Sequence, residues 1–160
     1  AYTQLFKGLP AVGNVVVAYL TGSTFLFGAA AVGPIAPPTW TLFGLAATAT
    51  FAREVVKDVE DVAGDREEGL RTLPIVVGEA PALALATAAM AAAALGSVIP
   101  YVDGTFGPAY LAVVVPADAT MLGATALGFR DPSTAQRWIK RGTFLAAAAF
   151  VAGRLVTVIG

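Results

Sequence analysis

The sequence predicts an all-α fold, a polytopic transmembrane bundle of about five helices, and three observations carry that prediction. The 160 residues are 57% hydrophobic and only 13% charged, roughly half the charged share with which a soluble domain wets its surface. Mean hydropathy is +0.74. From Gly8 to Ala52 there is no charged residue at all, a stretch long enough for two spanning helices at roughly 20 residues each. The composition also excludes several classes. A net charge of -1 lacks the basic excess of a nucleic-acid binder, and the high hydrophobicity is the opposite of a disordered chain. With no Cys and no His, thiol nucleophiles, disulfides, imidazole bases and ordinary zinc sites are absent. Any chemistry must rest on Asp, Glu, Lys, Arg, Tyr, hydroxyls or a hard cation held by oxygens.

The elements follow in order. Pro34, Pro37 and Pro38 divide the charge-free stretch, giving a first span over 10–32 and a second over 39–57, with Trp40 placed as an interfacial aromatic. The third, 80–101, is dominated by Ala and depends on neighbouring helices for insertion; its small residues suit close helix packing. The fourth, 108–129, is interrupted once by Asp118, and the fifth, 141–159, once by Arg154. Alternation of five spans puts Lys7, the 53–71 connection and the 130–141 connection on one side. Nine of the ten cations then face the cytoplasm under the positive-inside rule. The chain opens without Met and without a signal-peptide pattern, which reads as the carboxy-terminal part of a longer polytopic protein, with residues 1–160 forming one portion of a single transmembrane domain.

Charge is concentrated in one place: 11 of the 21 charged residues lie between Arg53 and Arg71. If the second helix runs on through this segment, Glu54, Asp58, Asp61 and Asp65 fall at i, i+4, i+7 and i+11, on one face. Carboxylates so spaced repel one another unless a cation lies among them, and Mg²⁺ takes carboxylates, waters and phosphate oxygens. Lys57, Arg66 and Arg71 beside the stripe would meet a diphosphate. A solvated cytoplasmic loop is the plain alternative. Against it, Val55, Val56, Val59 and Val62 alternate with the acids, and the segment starts at the end of a span. An EF-hand loop does not fit, because counting from Asp58 the position 5 ligand and position 6 glycine are missing.

The run REVVKDVEDVAGDREEGLRTLPIVVG, Arg53 to Gly78, resembles the second aspartate-rich motif of the UbiA superfamily of intramembrane prenyltransferases. Its core D-x-x-x-D is Asp61 and Asp65, preceded by Asp58. The following G-x-x-T-L-P, and KGLPAVGNVVVAYLTGSTFLFGA near the start, are most similar to the archaeal digeranylgeranylglyceryl phosphate synthase branch. The resemblance implies nine helices in all, of which these would be helices five to nine. It also implies a first motif, N-x-x-x-D-x-x-x-D. Asn14 is the only Asn and no Asp follows it at that spacing, so this chain alone is expected to be inactive.

For the site, the resemblance implies Asp58, Asp61 and Asp65 as Mg²⁺ ligands and Lys57, Arg66 and Arg71 as diphosphate contacts. Tyr2 and Lys7 resemble a Tyr/Lys pair that precedes the family's fifth helix, an interfacial snorkelling Lys being the alternative. Glu54 is either a ligand or an ion-pair partner of Lys57. Asp118 is either functional, as intramembrane ionisable groups usually are, or hydrogen-bonded to Thr120 or a neighbouring helix. Arg154 reads as an anchor. Arg137, Lys140 and Arg141 read as positive-inside charges that also suit anionic lipid or an acceptor phosphate. The implied reaction is transfer of a geranylgeranyl group from its diphosphate to the hydroxyl of geranylgeranylglyceryl phosphate in the cell membrane, with the acidic motif cytoplasmic. Its partners are a prenyl diphosphate, a lipid phosphate and membrane lipid, with no nucleic acid. An aromatic acceptor and a non-catalytic membrane subunit or cation-transport fragment are the rival readings.

Overall fold

The structure, a computed structural model, describes residues 10–159, and among them every regular element is helical. In chain order these are α1 (Val12–Val32), α2 (Pro37–Glu60), α3 (Val62–Glu67), α4 (Leu73–Val77), α5 (Glu79–Gly96), α6 (Ile99–Val102), α7 (Pro108–Leu127) and α8 (Pro132–Ile159). The five long helices match the five expected spans in place. Three segments, Val12–Val32, Glu79–Val102 and Pro108–Leu127, are long and apolar enough to cross a membrane by length and composition alone. The other two expected spans fall in α2 and α8, each of which carries a charged end.

Two boundaries differ from expectation for local reasons. The third span breaks after Gly96, where Ser97 and Val98 separate α5 from α6. Helix α8 begins at Pro132 rather than 141. Asp131 caps it: its Oδ1 accepts the Thr134 amide at 2.9 Å and its carbonyl accepts the Ala135 amide at 3.0 Å, with Pro132 at the first helical position. The same bonding from Thr134 holds the Asp131 carboxyl below its usual range. The extension makes Gln136, Lys140 and Arg141 part of a rigid helix.

Helix α1 packs on α2, α7 on α8, and α5 on α2. The core is built from Ala52, Val55, Val56 and Val59 of α2, Ala82, Leu83, Ala86 and Met90 of α5, Met121 and Ala124 of α7, and Ala135 and Ile139 of α8. The valines between the acids are therefore core residues, which is why the acidic segment is held against the bundle. On α1 the usual pattern is inverted: Asn14, Ala18, Gly22 and Ser23 are buried, whereas Tyr19, Leu20 and Phe27 are exposed. In hydrocarbon, helices associate through small and polar residues.

Close approach is required at two glycines. A Cβ on Gly22 would lie 2.7 Å from the Phe43 carbonyl oxygen of α2, and one on Gly142 would meet the Met121 side chain and the Ala117 carbonyl of α7. Gly22→Ala should therefore destabilise the protein by about 1–3 kcal/mol, read as a lower melting temperature in detergent. Gly28→Ala, where a Cβ meets nothing within 4 Å, should leave it unchanged or slightly raised by the better helix propensity.

Candidate functional site

The acidic segment does not continue as one helix. Asp61, with φ -91° and ψ 1°, ends α2 and precedes α3, so the single stripe expected through Glu54, Asp58, Asp61 and Asp65 is broken at its third member. The end of α3 is closed by a Schellman turn. The Gly69 amide bonds the Arg66 carbonyl at 3.1 Å and the Leu70 amide bonds the Asp65 carbonyl at 2.8 Å, with Gly69 at φ +69°, a conformation glycine adopts without a Cβ penalty. The turn anchors Asp65 through its own carbonyl.

The break separates the acids by environment. Asp61 is exposed and pairs with Lys57 at 3.2 Å, and Arg66 and Arg71 are exposed nearby. Glu54 pairs with Arg53 at 3.1 Å rather than with Lys57. Asp58 is different: it is half-buried, and its Oδ2 accepts a 2.8 Å hydrogen bond from the Asn14 side-chain amide of α1. Burial pushes the Asp58 carboxyl above its usual range, the Asn14 bond opposes that, and the nearby Asp65 charge adds to it. The Asp65 charge thus reaches Asp58 across the break. Tyr2 and Lys7 lie outside the described residues.

Asn14 was not anticipated. The sequence marks it only as the lone Asn of the chain and a polar group in an apolar span, and polar groups there need a partner. Its partner is 44 residues away. A second polar group in the expected spans, Asp118, also has a partner: the Ser97 hydroxyl donates to its Oδ2 at 2.6 Å, and the Tyr110 hydroxyl donates to the Ser97 carbonyl at 2.7 Å. Of the two alternatives for hydrogen bonding by Asp118, the neighbouring-helix one is formed; Thr120 bonds the Pro116 carbonyl.

Between the α1/α2 pair and the α7/α8 pair lies a cavity of about 360 Å³, walled largely by apolar side chains including Phe25, Leu45, Val114, Met121, Phe144 and Phe150. Asp118 and Ser97 enter it from one side; Arg53 and Lys140 line it from α2 and α8. Arg53 precedes Asp58 by five residues, about 7.5 Å along the helix axis. An apolar cavity beside carboxylates and cations suits an amphiphile with an anionic head. Mg²⁺ is commonly held by one or two carboxylates with waters and substrate phosphates completing the shell. Asp58 with Asp65 fits that donor set, while no three acids among the described residues gather closely enough to hold a metal by themselves.

Because Asn14 holds Asp58 through a bond to a half-buried carboxylate, Asn14→Leu should cost about 1–3 kcal/mol, measured as a lower melting temperature. Asn14→Gln, with the same amide on a longer stem, should fall between the two. An unchanged melting temperature in Asn14→Leu would show that the bond does not hold α1 to α2.

The chain matches the UbiA prenyltransferase family over residues 1–152. It is 58% identical to digeranylgeranylglyceryl phosphate synthase of Natronomonas pharaonis, across 99% of this chain and 57% of the relative. It is 47% identical to that of Methanopyrus kandleri, across 96% of this chain and 58% of the relative. It superposes on a solved structure described as digeranylgeranylglyceryl phosphate synthase in membranes with a TM-score of 0.84 and 33% identity, over 94% of this chain and 54% of that one. The chain spans a little over half the length of the curated relatives it matches. By its sequence, its helical architecture and its acidic segment, the chain belongs to the UbiA prenyltransferase family.

Proposed function

We propose that residues 1–160 are the carboxy-terminal part of a Mg²⁺-dependent intramembrane enzyme that transfers a geranylgeranyl group from geranylgeranyl diphosphate to the hydroxyl of geranylgeranylglyceryl phosphate. The observation that carries this reading is the placement of Asp58. It is a half-buried carboxylate held by an amide, at the end of the helix whose preceding turns line an apolar cavity. The identity of the relatives as digeranylgeranylglyceryl phosphate synthases favours a lipid-phosphate acceptor over an aromatic one. A cation-transport role would call for acids in several spans, whereas Asp118 stands alone in the span interiors and is bonded to Ser97.

In this reading Asp58, Asp61 and Asp65 hold the metal together with acids from the remainder of the protein. When bound, Mg²⁺ supplies a Lewis acid that offsets the negative charge growing on the departing diphosphate. The exposed Lys57–Asp61 pair is worth little in itself, about 0–1 kcal/mol, so Asp61 is readily given up by Lys57, which with Arg66 and Arg71 then neutralises the diphosphate. The apolar cavity takes the prenyl chain and keeps water from the allylic cation that forms as the carbon–oxygen bond breaks. The acceptor oxygen bonds that carbon as the diphosphate departs, and the hydroxyl's proton passes to the released diphosphate. The gathering of Arg53, Lys57, Arg66, Arg71 and the 130–141 cations at this end of the bundle supports a cytoplasmic position for it under the positive-inside rule.

Full-length protein in lipid should transfer labelled geranylgeranyl to geranylgeranylglyceryl phosphate only with Mg²⁺ present. Asp58→Asn, Asp61→Asn and Asp65→Asn should each lower the rate by about 100-fold or more, since even groups that only orient metal ligands cost 10- to 100-fold. Wild-type rates in all three variants would overturn the metal assignment.

A further inference from the structure

We infer that Arg53, at the head of the acidic segment, and Lys140 form a second anion subsite, distinct from the Asp58, Asp61 and Asp65 carboxylates, which binds the phosphate monoester of the lipid acceptor directly and without metal. The inference rests on the lipid-phosphate reading above and deepens it. The two cations line the cavity from α2 and α8, and a hydrogen bond ties the two helices together beside them. The Gln136 side-chain amide donates to the Arg53 carbonyl at 2.9 Å. Lys140 follows Gln136 by four residues, hence one turn along the same face of α8. One turn is about 5.4 Å, so a single phosphate group can be shared by both side chains.

Its basic neighbours are committed elsewhere, which separates Lys140 from a general positive-inside cluster. Arg137 donates to the Thr134 hydroxyl at 2.6 Å, and the Arg141 guanidinium stacks 4.6 Å above the Trp138 ring. Lys140 has no ion pair among the described residues, and Arg53 has only the adjacent Glu54. The pair with Glu54 therefore retains net positive charge at the rim of a cavity whose walls are largely apolar, where low polarity strengthens attraction to an anion. A phosphate monoester carries a charge of about -1.5 to -2 at pH 7. The donor diphosphate would need the carboxylates and their metal in addition to Lys57, Arg66 and Arg71, whereas the acceptor phosphate would meet cations alone.

The test uses full-length protein reconstituted in vesicles of neutral lipid, with Lys140→Gln, Arg53→Gln, Lys140→Arg and, as a control at the same end of the bundle, Arg130→Gln. Loss of one charge-assisted contact should raise KM for geranylgeranylglyceryl phosphate about 10- to 100-fold. KM for the diphosphate donor should change by less than about twofold, Lys140→Arg should retain most of the affinity, and Arg130→Gln should match wild type. Binding of the phosphate acceptor measured by calorimetry in chelator, without Mg²⁺, should weaken by the same factor, and binding of the uncharged geranylgeranylglycerol should not. A rise in donor KM instead would assign the cations to the diphosphate. Loss of the effect when anionic lipid replaces neutral lipid in both wild type and variants would assign them to bulk headgroups. Unchanged acceptor KM in both Gln variants would remove the subsite; a wild-type protein unable to use the phosphate acceptor at all would instead remove the lipid-phosphate reading on which it rests.

Discussion

A helix bundle in hydrocarbon gains nothing by hiding apolar side chains from a solvent that is itself apolar, and this constraint organises everything else in the chain. Helices must be held by close backbone approach and by polar pairs, so α1 turns Asn14, Gly22 and Ser23 inward and Phe27 outward. The same constraint expels charge to the ends of the spans, apart from Asp118 and Arg154. What was left for chemistry is one end of the bundle, where α2 finishes and α8 begins. The two ends meet through Gln136 and the Arg53 carbonyl, and that contact brings the acidic segment and the cavity together.

Much of the fold could be read from the residues because the signals were coarse and unopposed. Charge-free stretches, Pro34 to Pro38, and the uneven distribution of Lys and Arg locate the five long helices without reference to any contact. The early start of α8 was hidden because 132–140 is polar, and hydropathy does not register a cap such as Asp131. The break at Asp61 was equally hidden: Asp58, Asp61 and Asp65 keep helical spacing in the sequence, and the Asp65 amide still bonds the Asp61 carbonyl although the dihedrals at Asp61 end the helix.

The site shows the same division. The acidic residues and their basic neighbours were legible because charge is rare in such a chain and stands out wherever it gathers. Which acid is buried, and by what it is held, depended on a partner 44 residues distant, and pairings of that range follow from how α1 and α2 pack, not from either segment alone. Likewise, Lys140 is indistinguishable in sequence from Arg137 and Arg141. Only the position of Gln136 against α2 turns it toward the cavity while its neighbours stack or bond elsewhere.

The glycine contacts have a mechanical side. Because α1 touches α2 at Gly22 and α7 touches α8 at Gly142 with almost no side chain between the backbones, each pair has a separation fixed by main-chain van der Waals radii. Between the two pairs, by contrast, lies the cavity, walled by side chains such as Phe25, Met121, Phe144 and Phe150. Any widening of the cavity must therefore be taken up between the pairs, like the jaws of a clamp whose arms are each stiff, with the Gln136 bond to the Arg53 carbonyl acting as the strap across the jaws.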